Sequence, residues 1–128
     1  MKKKSKSQLV KELDKIFSEY IRLRDRNICI TCGCIGEHKI MQAGHYVSRS
    51  CYALRWDERN VHCQCYSCNI CKSGNLITYR EKLVLIYGEK EVKKLEQQRH
   101  TVIKYTQSDI IGLIELYKQK IKELDNSL

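Results

Sequence analysis

The sequence contains no proline. That lack disfavours a loop-rich secreted scaffold, whose turns proline usually helps to fix. No apolar run approaches the ~18 residues that a membrane-spanning helix needs. The N-terminus is basic, but only Leu9 and Val10 follow before charge returns. The apolar stretch of a secretory signal is therefore missing, and a cytoplasmic protein is expected. That expectation decides how the eight cysteines are read: in the cytosol disulfides are disfavoured, and metal thiolates or free thiols take their place. The 128 residues fit one domain, which should bury roughly two-thirds of its unfolded surface. With 30% charged and 42% hydrophobic residues, the composition is not that of a disordered chain.

Lysine and arginine outnumber aspartate and glutamate 24 to 15, a net charge of +9. Residues 1–38 and 39–80 each carry a net +4, and residues 81–128 only +1. The positive field thus lies on the first two-thirds, which also hold every cysteine. A small basic protein is commonly a nucleic-acid binder, because neutralising phosphates releases counterions.

Residues 1–6 form a Lys/Ser stretch, expected to be a flexible basic tail. From Ser7 a single apolar stripe (Leu9, Leu13, Ile16, Phe17, Tyr20, Ile21) predicts a helix ending near Arg26 and Asn27. Residues 28–68 show no helical period, hold Gly33, Gly36 and Gly44, and include a β-like run from Lys39 to Val47. The helical pattern returns after Cys68, breaks near Gly74, and runs from Leu76 to Tyr87, with Gly88 as its stop. Glu89 to Arg99 reads as a short charged helix. Thr106 and Asp109 resemble a capping box that opens a last helix, with Ile110, Ile114, Tyr117, Ile121 and Leu124 as its stripe. That stripe suits either packing on the first helix or a seam with a second copy of the chain, so a homodimer is a candidate assembly. The expected organisation is one domain over residues 7–128: an N-terminal helix (7–27), a zinc core (28–87) and C-terminal helices (88–128).

Cys29 and Cys32, followed by Gly33, form a C-x-x-C knuckle, and Cys65 and Cys68 form a second. Two such pairs give a tetrahedral four-thiolate site, which zinc fills without redox chemistry. The alternative, buried free thiols, suits isolated cysteines better than two pairs at ligand spacing. Cys68 and Cys71 are also a C-x-x-C pair, so Cys71 or Cys63 is an alternative ligand. Cys34, Cys51, Cys63 and Cys71 are otherwise read as free thiols. A thiol redox protein would want a βαβ context, which is missing.

Between and behind the knuckles lie His45, Asn60 and Asn69. Taken singly, each asparagine reads as an ordinary turn or cap residue. Their order around His45, woven through two knuckles, resembles the HNH or ββα-metal nuclease motif. Longer phrases extend the likeness: Ala43-Gly44-His45-Tyr46, Leu54 to His62, Gln64 to Asn69, Lys72 to Leu76, Tyr79-Arg80, and Ile21 to Asp25 before the first knuckle. Over about Phe17 to Tyr87, with a looser echo in the last helix, the chain resembles the phage lambda NinG family. That family is also called Rap, for recombination adept with plasmid; its larger members carry an additional N-terminal segment.

The resemblance implies an α+β fold: a small zinc-stabilised ββα-metal, HNH and treble-clef-like core flanked by N- and C-terminal helices. It also implies a phage recombination endonuclease acting on branched DNA, such as Holliday junctions and D-loops, in the bacterial host cytoplasm. His45 would be the general base, with an unperturbed pKa near ~6.5 suited to activating water. Asn69 would offer a carbonyl oxygen to a catalytic Mg2+ or Mn2+, with His62 or Gln42 as further candidate ligands. Asn60 would fix the loop that orients His45. Arg49, Arg55, Arg59, Lys72 and Arg80 are candidate phosphate contacts. Trp56, the only tryptophan, suits core packing better than stacking on a base. One departure stands out. Many HNH enzymes place an acid or a histidine immediately before the catalytic histidine, where this chain has Gly44. Members of the resembled family often place Asp three positions before it, where this chain has Gln42. The rival reading is a non-catalytic zinc-containing module that binds branched DNA, which would have no need of His45, Asn60 and Asn69 together.

Overall fold

In a computed structural model the structure describes residues 3–127. The element order is α1 (Lys6–Arg24), β1 (Gln42–His45), α2 (Tyr52–Arg55), β2 (Val61–Gln64), a π-helical turn (Ser67–Cys71), α3 (Leu76–Tyr87), α4 (Glu89–Gln97), a 3-10 turn (Gln98–His100) and α5 (Gln107–Ser127). It is an α+β arrangement in which five α-helices surround one small antiparallel sheet. The two strands pair Gln42 with Gln64, Ala43 with Cys63, Gly44 with His62 and His45 with Val61.

Helix α1 starts earlier than its apolar stripe predicts. Ser5 is its N-cap, and Ser5 and Gln8 form a reciprocal capping box. Lys4 pairs with Glu12 at 2.7 Å. Lys6 therefore belongs to the helix and Ser5 to its cap, in place of the basic tail; Met1 and Lys2 lie outside the described residues. The helix also ends earlier than predicted. Arg26 and Asn27 take left-handed conformations, at φ 55° and 56°, and so cannot continue it.

The predicted stripe of α5 packs on α1. Leu9, Leu13, Phe17, Tyr20 and Ile21 bury against Ile110, Ile114 and Tyr117, with Trp56 and Val61 closing the cluster. Phe17 and Tyr117 meet edge-on, with centroids 4.9 Å apart. Glu58 fastens the assembly, accepting from Tyr20 Oη at 2.9 Å, Tyr117 Oη at 3.0 Å and Lys120 Nζ at 2.7 Å. The stripe is therefore satisfied within the chain and does not offer the intermolecular seam considered from sequence. The capping box that opens α5 is present, with Thr106 and Asp109 bonding each other's backbone N–H at 2.8 and 3.1 Å.

The β-like run from Lys39 to Val47 shortens to Gln42–His45, because Ile40 and Met41 close a turn onto the Glu37 carbonyl. Helix α2 has four residues and was not foreseen; one turn is too short to carry a periodic signal. Helices α3 and α4 fall where the pattern places them, and Gly88 joins them at φ 89°, a conformation that favours glycine. No helix among the described residues is long and apolar enough to cross a membrane.

Candidate functional site

Cys29, Cys32, Cys65 and Cys68 converge, their four sulfur atoms lying within 4.8 Å of one another. Cys32 Sγ and Cys65 Sγ are 3.7 Å apart. Four thiolates at about 2.3 Å from a tetrahedral zinc would stand about 3.75 Å apart, so the donor set fits that ion. Each knuckle bends around its sulfurs. Gly33, at φ 77°, turns the first so that its N–H donates to the Cys29 carbonyl at 2.8 Å. In the second, the N–H of Cys68 donates to Cys65 Sγ at 3.4 Å and Asn75 Nδ2 donates to Cys68 Sγ at 3.7 Å. Such N–H···S contacts favour the thiolate a metal requires. Cys63 and Cys71 are not in the group. Cys63 points into the apolar interior, where burial pushes its thiol up to about 12. The alternative ligands weighed from sequence are therefore not the ones the fold gathers.

His45 ends β1. Its Nε2 lies 2.9 Å from the Arg55 carbonyl oxygen. A carbonyl can only accept, so Nε2 carries the proton and Nδ1 keeps its lone pair. Burial holds the His45 pKa below the ordinary histidine value against the Arg55 carbonyl and Asp14, which raise it, and the Arg55 and Arg49 charges act with burial. The ring is consequently a neutral base near pH 7.

Asn60 immediately precedes β2 and is fully buried. Its Oδ1 accepts from the Val47 N–H at 2.8 Å, and its Nδ2 donates to the Val47 and Leu54 carbonyls at 3.0 and 3.1 Å. Leu54 is next in sequence to Arg55, whose carbonyl holds His45. Asn60 thus staples the loop that orients the histidine without touching the histidine itself.

Asn69, in the π-helical turn, donates from Nδ2 to Gln42 Oε1 at 2.7 Å. Both line one cavity of about 390 Å³ with His45, Asp14, Arg22 and Arg49. The structure therefore brings together His45, Asn69, Gln42 and Arg49, which are 27 positions apart at the widest in sequence. Asp14 is the only carboxylate in that lining, and it is committed: Arg55 grips it at 3.0 and 2.6 Å, and Trp56 Nε1 donates to it at 3.0 Å.

Other predicted residues lie elsewhere. His62 sits among tyrosines, Nδ1 3.3 Å from Tyr79 Oη and Nε2 3.0 Å from Tyr87 Oη, outside the lining of the cavity. Burial, aided by Arg24, pushes its pKa down to about 4. It is a neutral structural ring, in place of the candidate metal ligand. Arg59 pairs with Asp57 and Glu91, and Arg80 with Glu96 and Glu89. With Arg55 on Asp14, three of the five candidate phosphate contacts are engaged within the fold. Arg49 and Lys72 are exposed and form no ion pair among the described residues.

Sequence reasoning missed two supports. Tyr79, fully buried in α3, donates its hydroxyl to the Gly44 carbonyl at 2.7 Å and so fixes the peptide before His45. Gln64 lies across Gly44: a Cβ at that position would stand 1.8 Å from Gln64 Oε1. The space beside Gly44 is therefore filled from the neighbouring strand. Both residues fall in phrases that carry the family likeness, which was the available signal. Asp14 lay outside those phrases and had no such signal, since a charge on a helix facing a loop looks like any solvated residue.

The fold and its thiol cluster define a small α+β protein with a four-cysteine centre able to hold zinc. The chain belongs to the NinG family: the family described as Bacteriophage Lambda NinG protein matches residues 1–127. It is 37% identical over 126 residues to Protein ninG of Escherichia phage 933W, covering 97% of this chain and 62% of that one. It is 36% identical over 126 residues to Protein ninG of Escherichia phage lambda and to that of Salmonella phage P22, covering 61% of each. The chain thus spans somewhat less than two-thirds of the length of these relatives. No solved structure matches it.

Proposed function

We propose that this chain is a metal-dependent DNA endonuclease of the HNH, ββα-metal type, with branched DNA as its substrate. The observation that carries the reading is His45. Its Nε2 proton is spent on the Arg55 carbonyl, and its Nδ1 lone pair is left free at a cavity shared with Gln42, Asn69 and Arg49. Strand, strand and helix follow one another along the chain in the order β1, β2, π-helical turn and α3, and of these β1 and the turn supply residues to that cavity. The choice of branched DNA rests on the family likeness, and a role in phage recombination accords with it.

In this reading Nδ1 takes the proton of a water as its oxygen attacks phosphorus, while the bond to the leaving sugar oxygen breaks. Arg49 neutralises a phosphate oxygen. Asn60 and Tyr79 hold the histidine's backbone and loop still. Asn69 Oδ1 and Gln42 Oε1 are neutral oxygen donors, suited to a hard divalent cation that keeps several waters and takes phosphate oxygens as well. Bound there, Mg2+ or Mn2+ would stabilise the charge growing on the leaving oxygen.

The test is cleavage of a synthetic four-way junction by the zinc-loaded protein with Mg2+ or Mn2+. His45→Ala should abolish cutting and leave junction binding within a few-fold, since loss of a general base acts on the transition state. The acid limb of the cleavage–pH profile should fall below the usual ~6.5 of histidine, because burial favours the neutral ring. Cleavage that persists in His45→Ala refutes the site. One observation favours a second reading, a non-catalytic zinc-containing branched-DNA-binding module: the cavity has no uncommitted carboxylate. Junction binding without cutting under either metal would select it.

A further inference from the structure

A second cavity, of about 540 Å³, lies against the first and shares Asp14, Arg49 and Arg55 with it. One face of α1 lines the pair from end to end. Lys6, Val10 and Lys11 line the second cavity, Asp14 stands at the junction, and Ser18 and Arg22 line the first. Lys6, Val10, Asp14, Ser18 and Arg22 recur at four-residue steps with Lys11 beside them, which places them on one side of the helix, next to the stripe that packs on α5. At 1.5 Å per residue, Lys6 to Arg22 spans about 24 Å.

The charge along this path is one-sided. Lys6, Lys11, Arg22, Lys39, Arg49 and Arg55 face it, against the single carboxylate of Asp14, which Arg55 already neutralises. Among the described residues the other five cations form no ion pair with any acid, although Arg22 donates to the Ser18 and His38 carbonyls, so no carboxylate holds them directly. By contrast Arg59 and Arg80 are each held by two carboxylates on the side of α3 and α4. Both cavities are the size of small-ligand clefts, too narrow for a duplex to enter whole and wide enough for the phosphates and sugars of one strand.

We propose that the two cavities form a single groove along α1 that takes one DNA strand through the site. Lys6 and Lys11 hold the strand on one side of His45, Arg22 and Lys39 hold it on the other, and Arg49 stands at the junction of the two halves. A groove of about 24 Å accommodates roughly seven phosphates at 3.4 Å per nucleotide. The inference deepens the nuclease reading and rests on it for the position of the scissile phosphate. The binding path itself stands on the cavities and their charge.

The experiment compares the zinc-loaded full chain with two double variants. In Lys6→Ala/Lys11→Ala, two groove cations are lost from exposed helix positions, where alanine keeps the helix intact. In Lys90→Ala/Lys122→Ala, two exposed lysines that line neither cavity are lost. Affinity for a fluorescein-labelled single-stranded 20-mer is read by anisotropy over a salt series without divalent cations, so that cleavage plays no part. The groove pair should bind about tenfold or more weakly, and its log–log salt slope should flatten by about 1.4, two contacts at ~0.7 each. The control pair should stay within about twofold on both counts. Equal losses in the two variants, or an unchanged slope in the groove pair, overturns the groove. Failure of the nuclease reading shows differently, as a wild-type chain whose salt slope exceeds that of the groove pair by about 1.4 and which never cuts a junction with Mg2+ or Mn2+.

Discussion

Asn69 donates its Nδ2–H to Gln42 Oε1 across 2.7 Å, joining the turn of the second knuckle to the first residue of β1. Two neutral amides therefore meet at the cavity that His45 lines. The arrangement leaves Asn69 Oδ1 available and gives Gln42 Oε1 an acceptor site to spare. Asn69→Ala should raise the Mg2+ concentration needed for half-maximal cleavage without weakening DNA binding. Gln42→Asp should lower that concentration, because it adds a hard anionic ligand. Metal titrations of junction cleavage measure both, and a fall with Asn69→Ala together with a rise with Gln42→Asp would exclude this pair as the cation's ligands.

Gly44 and Gln64 should show strong coupling in stability. A methyl at Gly44 meets Gln64 Oε1 at 1.8 Å, Cδ at 2.6 Å and Cγ at 2.9 Å, so Gly44→Ala forces the buried side chain aside. Overpacking of this kind costs about 1–3 kcal/mol. Gln64→Ala removes all three atoms, and in that background Gly44→Ala should cost much less. Urea unfolding of the four proteins of the cycle gives the coupling; additive effects would mean the strands part instead of clashing.

Zinc should be the main support of the region around the knuckles. Cys29→Ser and Cys65→Ser should each lose the metal, whose binding contributes on the order of 10 kcal/mol in small zinc domains. Cys34→Ser and Cys51→Ser, outside the gathered four, should retain one zinc per chain. Metal analysis and thermal unfolding distinguish the two sets. A full complement of zinc in Cys65→Ser would return Cys63 or Cys71 to the ligand list.

His62 gives the fold a pH dependence of known sign. Its pKa is about 4 in the folded chain and ordinarily about 6.5 unfolded. Between those values the unfolded chain binds the extra proton, so stability rises with pH through this window and is lost as pH falls from about 6.5 toward 4. The whole shift is worth at most about 3 kcal/mol. Carboxylates and zinc thiolates also weaken in acid, so the informative quantity is the difference between wild type and His62→Gln at pH 7 and at pH 5. The wild type should lose more stability on acidification than the variant. An equal loss in both proteins would show that His62 stays protonated or solvated in the fold.

Much of the fold was legible because its signals are local. The stripe of α1, the Gly88 stop after α3 and the reciprocal Thr106–Asp109 cap depend on residues within a turn or two of one another. The Ser5–Gln8 box was equally local and was overlooked, hidden in a run of lysines that suggested a tail. Helix α2 left no trace, since four residues cannot display a period. The site divided in the same way. His45 and the knuckle cysteines announced themselves by motif, and Asn60 by its order in that motif. Arg55 and Arg80 looked like free cations because their partners, Asp14, Glu89 and Glu96, are 9 to 41 positions away, and Arg59 joins the distant Glu91 to an Asp57 only two positions off.

By itself the sequence determined the thiol chemistry, the basic character and the succession of helices. Residue type, spacing and charge act over a few residues and survive whatever the chain later does. Tertiary structure alone decided which of those groups remain free. It packed the stripe of α5 on α1, gave Gln42 to Asn69 and Asp14 to Arg55, enclosed His62 among tyrosines, and left Lys6, Lys11, Lys39 and Arg49 along one groove. The physical reason is that a charge or an amide is committed only when burial brings a partner within hydrogen-bonding distance, and that distance is set by contacts between elements remote in the chain.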